Sequence, residues 1–131
     1  MIDKEFEQQF ERGELPPDLF THEAHLRLAW IHVTQYGIDT AVKNVTQQIK
    51  RYTQKLNATD KYNHTLTVAA VRAVYHFALK SKSNTFSDFI KEFPRLRFNF
   101  KELMACHYGF DIYKSPLAKH KYLQPDLLPF D

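Results

Sequence analysis

Histidine is the residue type in this chain with the clearest capacity for chemistry. The 131-residue sequence contains seven histidines and a single cysteine. Neutral imidazole is the commonest metal ligand in proteins, and it is also the side chain that gains or loses a proton nearest to neutral pH. Whether a histidine can contribute to a site depends on where it lies around its predicted helix.

Two of these histidines, His22 and His25, are three residues apart on one predicted helix. At about 100° per residue, His22 falls in the middle of an apolar arc and His25 lies one turn along, at its edge. The other members of this arc are Leu26, Ala29, Val33 and Tyr36. The pair is therefore predicted to point inward and could supply two ligands from one rigid turn.

Two further histidines lie on the apolar faces of other predicted helices. His64 shares a face with Val68 and Val71, and His107 recurs seven residues after Phe100 on an inward stripe. The remaining three histidines are predicted to be surface or boundary residues: His32, His76 and His120.

Four inward histidines near helix ends predict a metal centre inside a helical bundle. Bundles build such sites from side chains on facing helices. The predicted ligands are His22, His25, His64 and His107. Imidazoles without a thiolate suit a divalent Zn, Fe, Cu or Ni ion, and the sequence does not choose among them. An open coordination position would admit water or a small-molecule substrate, and would support hydrolysis or oxidation.

Nearby polar residues could assist these histidines. Tyr62 and Tyr108 could place phenols at the mouth of the same cavity. Asp60 and Asp111 are the carboxylates best placed in sequence to orient a bound imidazole or to act as ligands themselves.

Each histidine also has an ordinary structural explanation. A single histidine on an apolar face is more often hydrogen-bonded to a neighbouring hydroxyl or carbonyl group. The main alternative function is a non-catalytic helical module that binds a protein partner or a small apolar ligand, with buried histidines that are structural or pH-sensitive. A third hypothesis is a basic accessory protein for nucleic acid.

Three other chemistries are disfavoured by residue spacing. Glu23 lies about 100° round the helix from His22, unlike the general base of a His-Glu-x-x-His protease. Cys106 points about 100° away from His107, so a nucleophilic Cys–His pair on one helix face is not predicted. Cys106 is instead predicted to pack as a small residue. The three glycines are far apart, which excludes a glycine-rich phosphate loop.

The bulk composition is that of an ordinary globular domain, with 44% hydrophobic and 25% charged residues. The net charge of +3 comes from scattered lysines and arginines, so no strong nucleic-acid partner is predicted. No apolar stretch approaches the ~20 residues that span a bilayer, so no membrane association is predicted. The first residues lack a signal peptide's apolar core, and the lone Cys106 cannot form an intrachain disulfide. We therefore expect a cytoplasmic protein.

The histidines are carried by a predicted all-α fold, a compact single-domain bundle of about five to seven helices over residues 1–131. Apolar residues recur at helical spacing, and no segment shows the sustained alternation of a strand. Helices are predicted at about 3–12, 22–36, 39–56, 62–79, before Pro94, and at 100–108 and 117–122. Thr21 is a predicted N-cap, and Gly13, Gly37 and Gly109 are predicted to close helices in a left-handed conformation.

Overall fold

The computed structural model describes residues 1–130, which form a compact all-α fold without strands. Its helices are α1 (Asp3–Glu11), α2 (His22–Tyr36), α3 (Ile38–Lys55), α4 (His64–Ala78), α5 (Phe86–Glu92), α6 (Pro94–Phe98), α7 (Phe100–His107) and α8 (Pro116–His120). Two 3₁₀ turns are Pro17–Leu19 and Thr59–Lys61. The all-α prediction is confirmed, although the sequence did not predict α6. Within residues 1–130, no helix is both long enough and apolar enough to cross a membrane.

The three long helices α2, α3 and α4 pack against one another and form the centre of the protein. The side chains of Leu28 and Ile31 on α2, Val45 on α3, and Val71 and Val74 on α4 are fully inaccessible to solvent. Because α2 contacts both of its long neighbours, its apolar surface is wider than the single arc of a peripheral helix. The other helices pack around this core.

The junction between α2 and α3 is one residue long. Thr21 begins α2, where its hydroxyl accepts the backbone N–H of Ala24 at 3.1 Å, as predicted for an N-cap. Gly37 both ends α2 and precedes α3, with φ of 81°, a value that side-chain-bearing residues rarely adopt. The left-handed prediction holds for Gly13 and Gly37 but is wrong for Gly109, because Tyr108 ends α7 in an extended conformation.

The start of α4 is fixed by Asn63. Its side-chain oxygen accepts the backbone N–H of Leu66 at 3.0 Å, which caps the helix, and its Nδ2 donates to the Ile112 carbonyl at 2.8 Å. The hydroxyl of Thr67 donates to the Asn63 carbonyl at 2.7 Å. The helix therefore begins at His64, two residues later than predicted, and its first turn is tied to the loop before α8.

The C-terminal segment, residues 121–130, packs back on α4 and α7. The Thr65 hydroxyl donates to the Lys121 carbonyl at 2.6 Å and accepts the Leu123 N–H at 3.0 Å. The Tyr108 hydroxyl donates to the Leu123 carbonyl at 2.9 Å, and Phe130 is buried. These bonds hold a segment without helix firmly against the bundle.

An aromatic cluster joins α1 to α3. The Tyr52 ring stacks on Phe10 with centroids 4.8 Å apart and meets the edge of Phe20 at 5.3 Å. Its hydroxyl donates to the Leu15 carbonyl at 2.7 Å inside the protein. Tyr52 thus fixes both α1 and the connector that follows it.

Candidate functional site

His22 lies at the first turn of α2 with its side chain exposed, so the prediction that it points into the core is wrong. Its Nε2–H donates to the Leu96 carbonyl of α6 at 2.9 Å, and its ring meets Phe100 with centroids 4.9 Å apart. As the first residue of the helix, His22 extends beyond the packed part of the arc. Its role here is to join α2 to α6 and α7.

His25 is largely enclosed, one turn further along α2. Its ring packs against Phe20 with centroids 5.9 Å apart, and its Nε2 is buried without a hydrogen-bond partner among residues 1–130. Burial, with a smaller contribution from the neighbouring His22, lowers the pKa of His25 to about 4. His25 is therefore neutral at pH 7.

His107 ends α7 and belongs to the packing of the C-terminal segment. Its Nδ1–H donates to the Leu128 carbonyl at 2.7 Å, and its ring stacks on Phe130 with centroids 4.1 Å apart. His107 thus contacts Leu128 and Phe130 of the C-terminal segment.

The four predicted ligands are not brought together. His22 and His25 are neighbours on α2, whereas His64 and His107 interact with other parts of the chain. Across residues 1–130, no group of three or more His, Cys, Asp or Glu side chains is arranged to hold a metal ion. A metal centre formed by all four therefore lacks geometric support and stays a prediction.

His32 was predicted to lie at the surface or boundary, and this is wrong. Its side chain is buried, with 1% of its surface exposed. The predicted arc was too narrow because α2 is central: Leu28, one turn before His32, and the preceding Ile31 are fully buried as well. The continuous apolar run around them was the signal that could have identified His32 as a core residue.

Three other residues considered in the sequence analysis lie in different surroundings. Asp60 lines the same cavity as His64, and its role as an assisting carboxylate stays a prediction. Asp111 closes its own turn, where its Oδ1 accepts the backbone N–H groups of Tyr113 and Lys114 at 2.9 and 3.3 Å. Cys106 is exposed and was wrongly assigned a packing role.

The His64 cavity is the space of about 530 Å³ between α3, the start of α4, α8 and the 3₁₀ turn before α4. Cavities of about 300–1,000 Å³ are typical for small-molecule ligands. The cavity is lined by Lys50, Thr53, Gln54, Thr59, Asp60, Tyr62, His64, Lys119 and His120. Asn63 positions the two central side chains, because its cap holds the backbone between Tyr62 and His64.

Tyr62 and His64 form a hydrogen-bonded pair in this cavity, with the Tyr62 hydroxyl 2.7 Å from His64 Nδ1. Burial raises the pKa of Tyr62 to about 12, and it lowers the pKa of His64, as does the charge of Lys50. Both groups are therefore neutral at pH 7. When the phenol donates to Nδ1, the imidazole carries its hydrogen on Nε2, where a ligand can accept it.

The charge of the His64 cavity is positive. Lys50 and Lys119 line it, and Asp60 is the one carboxylate among its described lining residues. The Lys119 ammonium group also donates to the Asp60 backbone carbonyl, which fixes α8 beside the 3₁₀ turn. Such a cavity attracts a negatively charged ligand.

A larger cleft of about 800 Å³ lies between α1, the start of α2 and α5. Its floor is apolar, with Phe6, Leu15 and Ile90 buried. The two arginines at its rim are already paired: Arg27 donates to Asp3 at 2.8 Å, and Arg97 lies 3.2 Å from Glu23. This cleft is therefore suited to apolar rather than to charged ligands.

No family model, curated protein or solved structure matches this chain. Together, the fold and the cavity define a small all-α protein with a basic, histidine-containing site of small-molecule size.

Proposed function

We propose that the protein binds a small organic anion, such as a carboxylate or a phosphate ester, in the His64 cavity. The observation that carries this proposal is the convergence of Lys50, Lys119 and the Tyr62–His64 pair on one space of about 530 Å³. A partly enclosed anion gains more from lysines than an exposed one, because solvent and salt screen the charges less.

The anion is held by groups of two kinds. The lysine ammonium groups supply charge, and His64 Nε2–H supplies a directed donor whose orientation is fixed by the Tyr62 hydroxyl at Nδ1. Thr53 and Thr59 add hydroxyl groups at the wall for the polar part of the ligand. An anion bound here stabilises the protonated imidazole, so binding raises the pKa of His64 toward its ordinary value.

The proposal predicts saturable binding of phenyl phosphate and benzoate, followed by NMR shifts of the His64 imidazole. Benzyl alcohol, which is similar in size but neutral, is expected to produce no saturable shift. Lys50→Met/Lys119→Met should raise the Kd for phenyl phosphate at least about tenfold, because each lost charge-assisted bond is worth ~1.5–3 kcal/mol.

Lys80→Met/Lys114→Met is the matched control, since these exposed lysines lie outside the cavity. It should bind phenyl phosphate like the wild type. Equal binding by all three proteins, or saturable shifts centred away from residues 50–64 and 119–120, would overturn the proposal.

A second candidate function is the binding of an apolar ligand or a protein partner in the larger cleft. Its support is the apolar floor formed by Phe6, Leu15 and Ile90, bordered by exposed Met1 and Leu19. Saturable shifts of Phe6 and Ile90 on addition of benzyl alcohol, without shifts of His64, would favour this function over anion binding.

The four-histidine metal centre is tested by elemental analysis of untagged protein purified without chelators. The metal hypothesis predicts a near-stoichiometric first-row metal in the wild type and its loss in His22→Ala/His64→Ala. A metal retained equally in both proteins would contradict the ligand assignment. Absence from both, with no uptake of added Zn, Fe or Cu, would reject the hypothesis.

We also propose a cytoplasmic location, as the sequence predicts. Cys106 is a free cysteine with an exposed side chain. An accessible free thiol is better preserved in a reducing compartment than in an oxidising one.

A further inference from the structure

A separate polar cavity of about 200 Å³ lies between α1, α2 and α3. Glu7 and Glu11 reach it from α1, His32 from α2, and Gln48 and Arg51 from α3. Every described side chain that lines it is polar or charged. Three helices that pack through apolar faces elsewhere thus enclose hydrophilic groups here.

Two buried polar atoms at this cavity have no hydrogen-bond partner among residues 1–130: His32 Nε2 and Gln48 Oε1. The two residues are 1% and 8% exposed. Glu7 Oε2 approaches His32 Nε2 only to 4.0 Å, which is too far for a hydrogen bond. Because buried polar atoms in folded proteins are nearly always bonded, this pair indicates that a hydrogen-bonding molecule occupies the space.

The hydrogen-bonding role of each atom follows from its surroundings. Burial lowers the pKa of His32 to about 4 against the opposing charge of Glu11, so the imidazole is neutral at pH 7. Asn44 Nδ2, which can only donate, faces His32 Nδ1 at 3.4 Å. Nδ1 is therefore the acceptor and Nε2 carries the hydrogen. The cavity offers one directed donor at His32 and one acceptor at Gln48.

The charge of this cavity is negative, in contrast to the His64 cavity. Two carboxylates, Glu7 and Glu11, face a single cation, Arg51. The Tyr36 hydroxyl donates to the Glu7 carboxylate at 3.1 Å and holds it in place.

We propose that this cavity binds a small organic ammonium ion that also carries a hydroxyl or ether oxygen. The ammonium group donates to Gln48 Oε1 and to the carboxylates of Glu7 and Glu11, and the ligand's oxygen accepts from His32 Nε2–H. The volume of about 200 Å³ exceeds the ~30 Å³ share of one water molecule several times.

Titration with ethanolamine at pH 7, followed through the His32 imidazole and the Gln48 amide signals, tests the proposal. We expect saturable shifts with a Kd in the millimolar range, since a ligand with four non-hydrogen atoms has a limited affinity. Ethylene glycol, which lacks the charge, and acetate, which reverses it, should produce no saturable shift. Ethanolamine shifts that fail to saturate, or that spread over exposed carboxylates, would overturn the proposal.

Gln48→Met removes the acceptor at nearly constant length and should weaken ethanolamine binding at least about tenfold. Its Tm without the amine should equal or exceed that of the wild type, because an unpartnered buried oxygen is replaced by an apolar group. Gln8→Met, an exposed position on α1 that lines neither cavity, should change neither quantity. An unchanged Kd or a lowered Tm in Gln48→Met would overturn the proposal.

The proposal of ethanolamine binding and the proposal of anion binding in the His64 cavity can be tested independently. Lys50→Met/Lys119→Met should retain ethanolamine binding, and Gln48→Met should retain phenyl phosphate binding. Loss of ethanolamine binding in the lysine variant would show that the amine does not bind between α1, α2 and α3.

Discussion

Lowering the pH from 7.5 to 5.0 is expected to reduce the free energy of unfolding by about 4 kcal/mol through two histidines. His25 and His32 each have a pKa of about 4 in the folded protein and an ordinary value of 6.5 when unfolded. Between these values the unfolded chain binds protons that the folded protein excludes, so stability is lost as the pH falls through this window. Each histidine contributes about 2 kcal/mol at pH 5.

This loss is large for a domain whose total stability is typically about 5–15 kcal/mol. Urea unfolding at several pH values between 7.5 and 5.0 measures it. His25→Gln/His32→Gln should flatten most of the pH dependence, whatever its stability at pH 7.5, because glutamine does not titrate. The control His120→Gln, an exposed position, should keep the wild-type slope. A double variant with an unchanged slope would contradict the assignment.

Tyr52→Ala is expected to lower the free energy of unfolding by ~3–5 kcal/mol, as for other large aromatic truncations. Its side chain is 2% exposed, so the substitution leaves a cavity between Phe10 and Phe20. It also removes the buried bond to the Leu15 carbonyl. Urea unfolding at pH 7.5 measures the change.

Tyr52→Phe separates these two contributions. It keeps the stacked ring and removes only the hydroxyl, which leaves the buried Leu15 carbonyl without its donor and should cost ~1–3 kcal/mol. If Tyr52→Ala were no more destabilising than Tyr52→Phe, the ring packing would contribute nothing and the aromatic cluster would not anchor α1.

The main helices could be predicted because their apolar periodicity and caps are local properties of the sequence. Thr21 and Gly37, which directly flank α2 in sequence, determine its two ends. By contrast, α6 has only five residues, too few to show periodicity, and its N-cap residue, Phe93, makes no side-chain capping bond. Asn63 caps α4 through the backbone N–H of Leu66, so the two-residue error at this helix start came from a missed local N-cap. Only the bond from Asn63 to the Ile112 carbonyl, distant in sequence, was invisible to local signals.

The candidate site could be predicted only in part, because helix phase says where a side chain points but not which neighbour it meets. Tyr62 and His64 are two residues apart, and their partnership was within reach of the sequence. The presence of Lys50 and Lys119 in the cavity could not be predicted, because α3 and α8 approach His64 only in the folded chain. His32 was missed because α2 is buried over more of its surface than one arc.

The C-terminal segment implies an order of events during folding. Helices α2, α3 and α4 follow one another directly, so their packing requires only short loops to close. The Thr65 hydroxyl, however, bonds to the carbonyl of Lys121, which lies 56 residues further along the chain. The first turn of α4, which carries part of the wall of the His64 cavity, therefore gains its two long-range bonds, to Lys121 and Leu123, only once residues 121–123 are in place. During synthesis, the central helices emerge first, and the His64 cavity gains its last lining residues, Lys119 and His120, only when α8 has emerged.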